Sequence, residues 1–163
     1  MKTDIVDQLI HQWAQEHPEK DASALAVVVR IQLLGKLLQR QTTRALADHG
    51  LKHWEYDVLS VLRRQGPPFE LAATDIARAA VLTTGAMTTR IDGLIARDLV
   101  RRRRSKSDGR SIPVRLTTKG KKLVDDAIDT RLKDASQTLA RVAAKDRDRL
   151  ATDLRQLLLA IGD

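Results

Sequence analysis

Residues 71–117 read LAATDIARAAVLTTGAMTTRIDGLIARDLVRRRRSKSDGRSIPVRLT, and the reading of this stretch decides the fold. An Ala-rich segment, Thr74 to Ala80, predicts a short helix, and Val81-Leu82-Thr83 a tight connection. A second helix starts at the hydroxyl-rich Thr83-Thr84-Gly85 and runs to about Arg97. Ser, Thr and Gly in such a position satisfy the free N–H groups of a helix start. Two extended runs follow, Leu99–Arg104 and Ile112–Thr117, around Ser105-Lys106-Ser107-Asp108-Gly109-Arg110, which has the chemistry of a hairpin tip. Helix, turn, helix and a basic two-stranded flap make a winged helix-turn-helix. The expected fold class is mainly α with a small β-wing, flanked by N- and C-terminal dimerisation helices.

Outward from this centre the chain is helical on both sides. Ile5, Val6, Leu9, Ile10 and Trp13 recur at helical spacing over Lys2 to about Glu16, and Pro18 breaks the run. A long helix from about Ala22 to Asp48 carries Leu25, Val28, Ile31, Leu34 and Leu38, a stripe broad enough for burial on more than one side. His49-Gly50 ends it. The next helix, Lys52 to Arg64, turns Trp54, Val58, Val61 and Leu62 inward and stops at Gly66-Pro67-Pro68. Beyond the wing, Thr117-Thr118 caps a helix running to about Ala143 with Leu123, Ala127, Leu132, Ala135, Leu139 and Val142 on one stripe. After a break at Lys145-Asp146, a last helix repeats Leu150, Leu154, Leu157, Leu158 and Ile161. The apolar terminal helices exceed what a small winged helix needs for its own core, so a homodimer is expected. The organisation is one domain in three parts: 1–48, ligand-site and dimerisation helices; 52–117, the winged helix; 118–163, C-terminal dimerisation helices.

Composition narrows the function classes. The 163 residues carry 29 Lys+Arg against 21 Asp+Glu, a net charge of +8, which favours polyanions. Seven basic and two acidic residues fall between Arg97 and Arg110, so the excess is concentrated on the wing. Cysteine is absent, which excludes disulfides, thiolate metal sites and cysteine redox switches. No signal peptide or membrane span is visible, and a cytoplasmic protein that does not engage a membrane is expected. His49 and His53 straddle Gly50, and His11 and His17 lack metal-pair spacing, so no metal or cofactor is expected. No nucleophile–base arrangement, phosphate-cradling loop or paired acid motif marks a catalytic residue, and an enzyme is not expected.

In the second helix of the motif Met87, Ile91 and Leu94 point inward, leaving Thr84, Thr88 and Thr89, with Thr83 at the cap, to face base edges and phosphates. In the wing Arg101, Arg103, Lys106 and Arg110 are candidates for phosphate or minor-groove contact, with Asp108 orienting Arg110. The competing reading is an ordinary polar helix face beside a solvated Asp-Gly turn. Two charges interrupt apolar stripes: Asp57 between Trp54 and Val58, and Arg90 between Met87 and Leu94. A buried charge needs a partner. They face one another in a structural ion pair, or they share a ligand pocket.

The fragments HGLKHWEYDVLSVLRR, TTGAMTTRIDGLIARDLVRR, SDGR and VRLTTKGKKL, in that order between about Leu34 and Ile128, resemble the MarR family of transcriptional regulators. That resemblance implies an obligate dimer on a pseudo-palindromic operator in double-stranded DNA, repressing until a small molecule binds. The N-terminal QWAQEHPEKDAS, with its tryptophan, proline and acidic patch, is similar to the urate-responsive branch. The resemblance carries that branch's ligand residues to Trp13, Asp57, Arg90 and Arg102, and implies urate or a related purine as effector. A phenolic or aromatic carboxylate is the second choice, and a weakly specific DNA-compacting protein the alternative class. The wing tip departs from the pattern, having one arginine after Asp108 where many members have two. A one-residue shift of strand register would turn a neighbour of Arg102 to the ligand face.

Overall fold

The computed structural model describes residues 2–80, 87–103 and 113–162. The chain divides into two compact units, Met1–Arg44 and Ala45–Asp163.

The first unit opens with α1 (Ile5–Glu16). Asp4 accepts from the amides of Val6 and Asp7 while Asp7 accepts from the amide of Asp4. This reciprocal cap starts the helix three residues later than the apolar spacing predicts. Arg30, on the long helix α2 (Ser23–Ala47), clamps both carboxylates, at 2.9 Å from Asp4 and 2.6 Å from Asp7. Hydrogen bonds from that guanidinium hold the Asp4 carboxyl well below its usual range, at about 2.

In the second unit α2 ends as expected at Gly50, which takes a positive φ of 62°. Its amide returns to Ala47 and that of Leu51 to Leu46, closing the last carbonyls of the helix. Then come α3 (His53–Arg64), β1 (Glu70–Leu71), α4 (Ala73–Ala79) and α5 (Met87–Ala96). The same termination recurs after α5: Asp98 adopts φ 56°, its amide bonds Ile95 and that of Leu99 bonds Leu94. Leu99 is thereby used in the cap, and the first wing strand starts one residue later than predicted.

The wing strands are β2 (Val100–Arg102) and β3 (Val114–Leu116), antiparallel with Val100 opposite Leu116 and Arg102 opposite Val114. The two-residue β1 adds to the far side of β3, giving the order β1-β3-β2. The helices α6 (Thr118–Thr138) and α7 (Ala144–Gly162) complete the unit. The break falls earlier than predicted, over residues 139–143. Lys145 and Asp146 lie in the first turn of α7, where an acidic residue favours the helix dipole.

The core gathers Val58, Leu59, Val61 and Leu62 of α3, Ile76 of α4, Met87, Ile91 and Leu94 of α5, Val100, Val114 and Leu116 of the sheet, and Val124 and Ala127 of α6. All three α5 residues expected inward are buried. A single residue joins β3 to α6. Thr117 caps that helix, accepting from the amide of Gly120 and donating to the carbonyls of Asp98 and Leu99. Gly120 lies against the Leu99 carbonyl so closely that a Cβ there collides with backbone.

Burial thins toward the C-terminus. No residue of α7 is buried, and Leu158 and Ile161 are 73% and 74% exposed. The α2 stripe of Leu25, Val28, Leu34 and Leu38 is likewise exposed in the single chain. Among the described residues no helix is long and apolar enough to cross a membrane.

Candidate nucleic-acid interface and ligand pocket

Because α5 buries Met87, Ile91 and Leu94, it turns Thr88 and Thr89 to solvent. Hydroxyls on an outward helix face can read base edges. Thr83 and Thr84 lie outside the described residues, as do Lys106, Asp108 and Arg110 of the wing tip.

At the wing root Arg101, Arg102 and Arg103 are all exposed. Their partners differ. Arg103 pairs with Glu70 of β1 at 2.9 Å. Arg102 pairs with Asp92 of α5 at 2.8 Å, tying the wing to the motif's second helix. Arg101 lines a cleft on the outer face of the sheet.

The C-terminal end of α5 is braced by a residue that the periodicity does not single out. Glu55 is buried on α3; one oxygen accepts from Arg97 at 2.7 Å and the other from the Lys52 amide at 2.8 Å. Arg97 also donates to the Gly50 carbonyl, and its own carbonyl accepts from Lys119. The available signal is the glutamate in the first turn of α3, a capping position; nothing in the spacing points to Arg97.

The two misplaced charges behave differently from an ion pair. The Arg90 guanidinium lies 5.6 Å from the centroid of the Trp54 ring, a cation–π contact. Its Nη1 is buried and, among the described residues, without a hydrogen-bond partner. Asp57 lies 3.9 Å from His53 Nε2. Burial pushes its carboxyl above the usual range, against the weaker opposing pull of His53, Arg131, Arg64 and Arg90. Arg90 thus contributes to the field at Asp57 without pairing with it. Arg102 is drawn elsewhere, since Asp92 sits about 200° around α5 from Arg90.

In the N-terminal unit the exposed Trp13 ring stacks on His17, with centroids 5.5 Å apart. Both border a pocket of about 260 Å³ with Lys20, Asp21 and Leu25. Among the described residues no group of three His, Cys, Asp or Glu side chains could hold a metal ion.

A helix-turn-helix order, a three-stranded wing and a hydroxyl-bearing helix face beside clustered arginines define the class of DNA-binding winged-helix transcriptional regulators. Over its winged helix the chain is similar to the MarR family, whose model matches residues 49–111. It is 26% identical over 153 residues to the HTH-type transcriptional regulator PecS of Dickeya dadantii (strain 3937), covering 94% of this chain and 90% of that one. Its fold resembles the organohalide-sensing regulator RdhR in its 2,4-dichlorophenol-bound form, with a TM-score of 0.76, 16% identity and coverage of 89% and 85%. It also resembles a mutant MarR of E. coli complexed with operator DNA, with a TM-score of 0.72, 16% identity and coverage of 96% and 99%.

Proposed function

We propose that the chain is a cytoplasmic, homodimeric, sequence-specific repressor released from its operator by a small anionic aromatic molecule, urate or a related purine. The observation that carries the effector reading is Arg90. It belongs to the proposed recognition helix, and its buried Nη1 has no partner among the described residues. A buried donor of that kind is costly unless something accepts from it. An anionic heterocycle offers both charge and a planar acceptor edge to a guanidinium. Trp54, already under Arg90, offers it a ring face.

Asp57 is proposed to accept a ligand N–H, which a purine has and a phenol lacks. Trp13 is proposed to stack on the ligand. Arg102 is proposed to respond through Asp92, so that a change at the wing root reaches α5. Recognition helices of a dimer must fit half-sites about 34–36 Å apart, so a small change in their spacing releases DNA.

Specific DNA contact is proposed for Thr83, Thr84, Thr88 and Thr89, and phosphate or minor-groove contact for Arg101, Arg103, Lys106, Asp108 and Arg110. The exposed apolar faces of α2 and α7 support the homodimer. A phenolic effector is the second reading, favoured by the dichlorophenol in the RdhR structure.

The test is binding to DNA upstream of the chain's own gene at fixed salt, with urate titrated in. Release by urate, weakened at least tenfold in Arg90→Gln and in Trp13→Phe, is the expected result. A specific complex indifferent to urate but released by a chlorophenol selects the second reading. Equal affinity for that DNA and for random DNA rejects the repressor.

A further inference from the structure

The outer face of the sheet holds a basic cleft in which the proposed operator contacts involve Arg101 but leave Arg115 and Lys119 without a role. Arg115 of β3 stands opposite Glu70 of β1 on one side and Arg101 of β2 on the other. Glu70 is engaged by Arg103. Among the described residues neither Arg101 nor Arg115 makes an ion pair or side-chain hydrogen bond. Like charges directly opposite on antiparallel strands destabilise the pair.

The two arginines open into a cleft of about 590 Å³ floored by Phe69 and closed by Thr117, Lys119 and Lys121 at the start of α6. Lys121 is partly neutralised by Asp125 at 2.8 Å. Lys119 donates to a neutral carbonyl, that of Arg97, and keeps its charge. Asp98, the carboxylate on the rim, offsets one of the three remaining positive charges. The surplus suits a ligand carrying two or more negative charges. Guanidinium groups bind phosphate through paired N–H donors, and the volume is that of a small-molecule site rather than of one ion.

We propose that this cleft binds a phosphate group through Arg101 and Arg115. The group belongs to a multiply charged small phosphate compound, and two measurements separate that source from the DNA backbone contact already proposed for Arg101. The first is calorimetric titration of the free protein with pyrophosphate at constant ionic strength. Saturable binding, weakened at least tenfold in Arg101→Gln/Arg115→Gln and retained in Arg90→Gln, identifies a site for a free phosphate compound. The second is the salt dependence of DNA affinity. A slope shallower by about 1 per site in the double variant, with no saturation by pyrophosphate, leaves the arginines to the backbone contact already proposed for Arg101 and overturns the site for a free phosphate compound. Protection of the unaltered protein against heat by pyrophosphate, beyond that given by sulfate at equal ionic strength, supports the free-ligand source without any variant. Absence of pyrophosphate binding together with an unchanged salt slope overturns the proposal. So does pyrophosphate binding that the double variant leaves intact.

Discussion

At neutral pH the carboxylate of Asp57 sits where burial works against its charge, and the pull of nearby His53 and of Arg131, Arg64 and Arg90 offsets that only in part. A carboxyl whose folded pKa lies above the unfolded value favours the folded state below the unfolded pKa. That contribution disappears as pH rises through the folded pKa. Asp57→Asn removes the cost. The variant is expected to melt above the unaltered protein at pH 7, with the gap closing as the pH is lowered to about 4; scanning calorimetry across that range checks it. The same substitution is expected to blunt urate release, because the amide presents a donor as well as an acceptor. A residue that weakens the fold while sharpening a response has the profile of a binding group. Arg97 is the opposite case. Arg97→Ala strands a buried Glu55 oxygen and is expected to cost about 2 kcal/mol, read by urea denaturation.

At the scale of the element, α6 begins under a constraint that one residue satisfies. Gly120→Ala is expected to destabilise the protein by about 3 kcal/mol, because the neighbour it meets is the Leu99 backbone and not a side chain able to turn away. A denaturation midpoint within experimental error of the unaltered protein's is the outcome that rejects it. The helix-turn-helix order, the inward face of α5 and the stop at Gly50 were legible in the sequence because apolar period and turn chemistry agree there. The two-residue β1 was not legible, since alternation needs more residues than two and its partner strand lies over forty residues away. The shortened β2 was also hidden: Leu99 has the composition of a strand residue, but its amide is taken by the end of α5. In the candidate site Asp57 and Arg90 stood out as charges on apolar stripes. Which groups surround them was not legible, because Trp54 and His53 look like ordinary helix residues until the elements pack.

For the whole molecule the informative feature is the surface left open. A helix in a protein draws most of its stability from packing its apolar face, and α7 buries none of its residues in the single chain. If α7 forms the proposed dimer interface, Leu154→Asp/Leu158→Asp is expected to shift sedimentation from dimer to monomer and to weaken operator binding about a hundredfold, through loss of the second half-site. A double variant that still sediments as a dimer places the interface elsewhere.

The joint between wing and α6 has a mechanical side. With one residue between β3 and α6, and Gly120 pressed on the Leu99 carbonyl, there is no slack between them. The 21 residues of α6 then act as a rigid lever of about 30 Å, with the wing fixed to its near end. A tilt of roughly 5° at the far end swings the wing through about 2–3 Å, the width of one hydrogen bond. A push applied at the far end of α6 would therefore reach the wing with little lost at the joint, as through a crankshaft with no play in its bearing.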